Sequence, residues 1–157
     1  MRVLLWCTVV ATFAAAPILN PAGQKAKGAD APFSITISGP TEAKAGSEIE
    51  IRVTMTNTSD HDIDAGSFFV DGVDTAYKYE VRDGKGNLAE KKVKQLAGSI
   101  RMETLKPGEN TEEGTLVSRV CNMSRADRYE IQLSRAISND AKQGVVKSNK
   151  ITITVDE

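Results

Sequence analysis

Apolar and polar residues alternate strictly through residues 48–57, EIEIRVTMTN, with Ile49, Ile51, Val53 and Met55 on one side and Glu48, Glu50, Arg52, Thr54 and Thr56 on the other. Successive strand side chains point to opposite faces, so this spacing predicts a strand with one face on a core and one in water. The pattern returns in Phe33-Ile35-Ile37, Tyr77-Tyr79-Val81, Tyr129-Ile131-Leu133 and Ile151-Ile153-Val155. Five half-buried strands imply a layered β protein, because each apolar face needs another to cover it.

Turn signals divide the rest of the chain. Gly39-Pro40 ends the first strand, and Asn57-Thr58-Ser59-Asp60 ends the second through side chains that bond their own backbone. Residues 67–70 and the pair Ile100 and Met102 read as short strands, the former bounded by Asp71-Gly72. Asp83-Gly84-Lys85-Gly86-Asn87 supplies glycines for a tight hairpin. Leu105-Lys106-Pro107-Gly108-Glu109 has Pro and Gly in the order of a type II turn. Residues 88–97 read as irregular, and residues 115–121 as a strand with Leu116, Ser118 and Val120 inward. Residues 128–136 form a long strand, 139–144 a polar loop, and 149–155 the closing strand. Seven or eight short strands without a convincing helix predict an all-β antiparallel sandwich.

The N-terminus has a different character. Arg2 precedes an apolar run from Val3 to Ala16, which reads as a signal peptide over residues 1–22 or, if uncleaved, as a membrane anchor. Residues 23–31 read as a flexible linker and 32–157 as one domain. Export implies a periplasmic or secreted location. Removal of the signal would also remove Cys7 and Trp6, leaving Cys121 without a disulfide partner and, at a strand position beside Val120, as a half-buried inert thiol.

Lys and Arg number 20 against 21 Asp and Glu, with no basic stripe interleaved with aromatics, so no nucleic-acid partner is expected. His61 is the only histidine and sits in a turn, and no G-x-S-x-G, H-E-x-x-H, phosphate-loop or dinucleotide motif occurs. The best metal candidate is the run Asp60, Asp62 and Asp64 with Asp71, which has the alternate oxygen spacing of a calcium loop. Ala65 stands where such a loop needs its glycine, so a solvated turn is the preferred reading. A copper set of His61, Met55, Met102, Met123 and Cys121 is scattered, and Met55 belongs to the core pattern. Asn57 and Asn122 begin glycosylation sequons that matter only in a host that glycosylates its exports. No catalytic, cofactor-binding or metal-binding residue is assigned.

The Lys106-Pro107-Gly108-Glu109 turn and Ala126-Asp127-Arg128-Tyr129 at the opening of a strand resemble turns in immunoglobulin-like and fibronectin-like sandwiches. The layout from Phe33 to Val155 is similar to exported bacterial immunoglobulin-like domains, including the type found in a bacterial proteinase inhibitor family. The resemblance implies that Tyr129 is a corner tyrosine whose hydroxyl bonds back to the chain. It departs from antibody domains, having no disulfide pair and no core Trp. The expected function is a non-catalytic exported module that binds a protein or envelope component through loops 60–67 and 138–148. A proteinase inhibitor-like domain and a calcium-stabilised adhesion module are the alternatives.

Overall fold

The computed structural model describes residues 31–92, 98–138 and 144–157. The signal reading and nearly all of the linker lie outside them. Ala31 packs on the core, and its carbonyl accepts the Thr58 hydroxyl at 2.8 Å.

Two sheets carry the core. The first has the order β1 (Phe33–Ser38), β3 (Glu50–Asn57), β10 (Asn110–Leu116), all antiparallel. The second has the order β2 (Glu42–Lys44), β12 (Val145–Asp156), β11 (Asp127–Ala136), β7 (Lys78–Arg82), antiparallel except for the short parallel pair β2–β12. Ile35, Ile37, Ile51, Val53 and Met55 of the first sheet join Tyr79, Val81, Tyr129, Ile131, Leu133, Ile153 and Val155 of the second in one buried cluster. The alternation in the sequence therefore fixes which faces meet. A side chain also ties the two sheets: the Asn149 amide of β12 accepts from Ile37 N at 2.7 Å and donates to Ile37 O at 2.9 Å. It imitates a neighbouring strand at a point where β1 has none.

Two small sheets complete the structure. β6 (Val73–Asp74), β5 (Ser67–Val70) and β8 (Ser99–Arg101) form a ribbon in the order β6-β5-β8, and β4 (Ile63–Asp64) pairs with β9 (Thr104–Leu105). β5 and β6 meet in a two-residue turn in which Asp71 and Gly72 have φ of 51° and 76°. Positive φ at both positions gives the twist a hairpin needs, which explains Asp-Gly there. Of the twelve strands among the described residues, seven span four residues or more.

The Pro107–Gly108 turn forms as expected, with Gly108 at φ 80° and Glu109 N donating to Lys106 O at 3.0 Å. Tyr129 donates its hydroxyl to Arg125 O at 3.2 Å, the corner bond that the resemblance implied. Residues 115–121 differ from expectation. β10 starts at Asn110, stops at Leu116, and the chain then makes one helical turn, α1 (Val117–Val120). Val117, Val120 and Cys121 are buried, while Leu116 and Ser118 are only half-buried. A spacing of three to four residues therefore replaces the spacing of two. Ser118 is drawn away from the core because its Oγ accepts Ile49 N at 2.9 Å, a backbone donor just ahead of β3.

Cys121 is fully buried, not half-buried, and burial pushes its thiol up despite the charges of Lys91 and Lys92. The thiolate is the reactive form, so the fold shields Cys121 twice, by access and by protonation. In full-length Cys7→Ser protein, a maleimide at neutral pH should leave Cys121 unmodified, with quantitative labelling after denaturation. Mass spectrometry reads both states, and rapid labelling of the folded chain would contradict this burial.

Candidate functional site

The inner face of β10 breaks the apolar rule. Its inward positions are Thr111, Glu113 and Thr115, paired across the ladder with Met55, Val53 and Ile51 of β3. Thr115 is 1% exposed and the Glu113 side chain 8%. Buried polar groups need partners, and here they come from the ribbon, Glu103 and β7.

Asp74 of β6 is 1% exposed. Its N donates to Thr115 Oγ1 at 3.2 Å, its carbonyl accepts Tyr79 OH at 2.7 Å, and its Oδ1 accepts Ala76 N at 2.9 Å. Tyr79 OH and Thr115 Oγ1 lie 2.8 Å apart, which closes a ring of β6, β7 and β10. Arg101 of β8 reaches Glu113 Oε1 at 3.0 Å and Glu103 Oε2 at 2.9 Å, and Thr111 Oγ1 donates to Glu103 Oε2 at 2.9 Å. Arg135 of β11 donates to Gly66 O at 2.8 Å and stacks 5.6 Å from the Tyr77 ring centroid. Burial pushes the Tyr77 phenol up to about 12, with the Arg135 charge opposing, and raises Tyr79 further. It also raises Glu113, and the Asp74 charge adds to that shift.

Four atoms in this layer are buried without a hydrogen-bond partner among the described residues: Asp74 Oδ2, Glu113 Oε2, Ser67 Oγ and Arg135 Nη1. The layer also carries three carboxylates, Asp74, Glu103 and Glu113, against two guanidiniums, Arg101 and Arg135.

Above it the ribbon turns an apolar face outward. Phe68 sits opposite Ile100 across β5 and β8 and is 40% exposed; Ile100 is 72% exposed and Met102 81%. The ribbon lies so close to Gly98 that a Cβ there would fall 2.3 Å from Phe69 O. Only glycine lets the chain pass.

The sequence candidates are placed as follows. Asp60 pairs with His61 Nδ1 at 3.0 Å on the surface, Asp62 is exposed, Asp64 Oδ1 accepts Gly66 N at 2.7 Å, and Asp71 pairs with Arg119. The structure does not bring these carboxylates together, and the described residues hold no metal-ready group of three or more His, Cys, Asp or Glu. Met55, Met123 and Cys121 fill the core, whereas His61 and Met102 face solvent. Asn57 is 1% exposed and its amide nitrogen is engaged by His61 O and Leu105 O, so the folded chain does not present that sequon. Loop 138–148 lies partly outside the described residues, and its expected end is strand: β12 begins at Val145. There the buried Ser148 Oγ accepts Leu133 N at 2.9 Å and fills the bulge between Gln132 and Ser134.

No protein-family model matches the sequence, and no curated protein matches it. Among solved structures, the chain is similar to the CARDB domain of a Pyrococcus furiosus protein at 13% identity over 79% of this chain and 94% of that one, with a TM-score of 0.42. It is also similar to part of a β-glucosidase from Listeria innocua at 12% identity and a TM-score of 0.44, over 80% of this chain but 16% of that one. A third likeness is to AvmM, described as catalysing macrocyclization in alchivemycin A biosynthesis, at 13% identity over 88% of this chain and 97% of that one, with a TM-score of 0.41. Likenesses at this level assign neither family nor function.

Proposed function

We propose that the chain is an exported, non-catalytic, immunoglobulin-like β-sandwich module that binds another protein or an envelope component at the end carrying the β6-β5-β8 ribbon. Two sheets around one core, the corner bond of Tyr129 and the Pro107–Gly108 turn support the sandwich reading. The apolar run after Arg2 supports export. The observation that carries the binding reading is the exposed cross-strand pair of Phe68 and Ile100, with the exposed Met102 just past the end of β8, because exposed apolar groups are costly unless a partner covers them. Loop 60–67 joins the same end, since it runs directly into β5 at Ser67. Beneath the ribbon Arg101 pairs with both Glu103 and Glu113, which supports a structural rather than a catalytic role for these three.

A photo-crosslinker at Ile100, exposed to the envelope fraction of the source cells, should give a discrete adduct. Met102→Asp should remove that adduct, and the same crosslinker at Thr36, exposed on β1, should give none. Equal adducts from both positions, or an adduct indifferent to Met102→Asp, would sink this reading.

A further inference from the structure

We propose that two copies of the chain pair edge to edge through residues 99–105, antiparallel about a two-fold axis at Met102, and so join their ribbons into one sheet. The inference goes beyond the binding reading, because it uses the edge of the ribbon and leaves the apolar face outward. β5-β8 and β4-β9 form one continuous ladder. Ile63 and Asp64 oppose Leu105 and Thr104 in the same register in which Ser67 and Phe68 oppose Arg101 and Ile100. Between these pairs Ala65 N donates to Glu103 O at 2.8 Å. Residues 63–69 therefore run beside 99–105 without a slip, and 99–105 is the outer strand.

Backbone groups alternate between the two sides of a strand. The bond at Glu103 O turns the backbone of Ser99, Arg101, Glu103 and Leu105 toward residues 63–69. Phe68 O sets the same phase, because it accepts Thr75 N at 2.8 Å on the β6 side. Ile100, Met102 and Thr104 thus direct N–H and C=O to the open edge, where none of the described residues pairs with them. All three are exposed, and the stretch has neither a proline nor a register shift to keep another strand away.

The charges choose the occupant. Arg101 and Glu103 lie two apart on the other face of this strand and pair at 2.9 Å, with side chains 45% and 25% exposed. With the axis at Met102, Arg101 of each copy falls opposite Glu103 of the other, Ile100 opposite Thr104, and Met102 opposite itself. Opposite charges facing across a ladder are favourable. An axis at residue 101 or 103 would instead set Arg101 against Arg101 or Glu103 against Glu103, and like charges there repel. A two-fold interface uses one patch twice, so a strand complementary to its own reverse is what a second copy needs. The joined ribbons place Phe68, Ile100 and Met102 of both copies on one continuous face.

Sedimentation of the full chain carrying Cys7→Ser should show reversible monomer–dimer exchange. Met102→Pro removes an outward N–H from each copy at the axis, a position an edge strand tolerates. It should raise the dimer dissociation constant about tenfold or more, with the thermal melt unmoved. Single cysteines read the register. Under oxidised glutathione Met102→Cys should link two copies, because hydrogen-bonded partners hold their Cα atoms about 5.5 Å apart, within disulfide reach. Arg101→Cys and Glu103→Cys each face a native residue of the other copy and should not link. A native chain that stays monomeric, a dimer indifferent to Met102→Pro, or linkage at 101 or 103 as fast as at 102 overturns the pairing. If Met102→Pro does not fold, the three cysteine variants decide alone. A monomeric chain whose Ile100 crosslinker still captures a different protein sinks the pairing and leaves the binding face. A dimer without that adduct does the reverse.

Discussion

Ile51→Ala should lower the stability of the chain by about 2–5 kcal/mol, the range for a large aliphatic side chain truncated in a core that collapses only partly around the gap. Ile51 is 0% exposed near the start of β3, the one strand of the first sheet paired on both sides. Gly39 packs against it, leaving the cavity walled by backbone that cannot readily move in. The adjacent Arg52→Ala is the control. Arg52 pairs with Glu112 at 3.2 Å on the solvent face, with both side chains more than half exposed, and exposed pairs are worth about 0–1 kcal/mol. Urea denaturation of the two variants should separate them by at least a factor of two in lost stability. Equal losses would mean that β3 does not present its alternate residues as described.

The second large effect is expected at a polar residue. Asn57 ends β3 and is 1% exposed, with every side-chain hydrogen-bonding group used: Nδ2 donates to His61 O at 2.8 Å and to Leu105 O at 2.9 Å, and Oδ1 accepts Ser59 N at 2.9 Å and Ser59 Oγ at 2.7 Å. It joins the end of β3, the 58–61 turn and the start of the Pro107 turn. Asn57→Leu should therefore cost about 1–3 kcal/mol for each buried carbonyl it orphans, Leu105 O foremost, although leucine adds apolar surface. Asn57→Asp should also destabilise at neutral pH, because a carboxylate accepts only and would face both carbonyls. Thermal melts of both variants against the native chain check this. A stabilised leucine variant would show that the amide is dispensable.

The apolar framework was legible in the sequence because its residues obey one rule. In β1, β3, β7 and β11 the inward positions are, apart from Asn57 at the end of β3 and Arg135 near the end of β11, aliphatic or aromatic and the outward ones mostly polar, so period two marks strand and face together. The candidate site was not legible for the converse reason. Thr111, Glu113 and Thr115 alternate with Glu112 and Gly114, and polar-on-polar alternation has no contrast. Asp74, Glu113 and Arg135 look like surface charges until the fold brings β6, β10 and β11 together. A trace remained: Thr-x-Glu-x-Thr follows the Pro-Gly turn directly, where a strand must begin. Local chemistry also misled at residues 117–121, where Val-Ser-Arg-Val-Cys fits a strand by propensity and becomes a helical turn through the Ser118 bond to Ile49. The short β2, β4 and β9 are set by their neighbours and carry no pattern of their own.

The polar inner face of β10 also bears on how the strand finds its place. A slip of two residues along β3 would keep every inward residue inward, so alternation alone cannot forbid it. In an aliphatic strand the slipped pairing would lose little. Here the same slip would carry Glu113 away from Arg101 and Thr115 away from Tyr79 and Asp74, exchanging matched polar contacts for charge stranded against the aliphatic side chains of β3. The buried polar layer thus works as an alignment key: it adds little cohesion of its own, yet among the in-phase pairings of β10 it leaves one that the rest of the fold can accept.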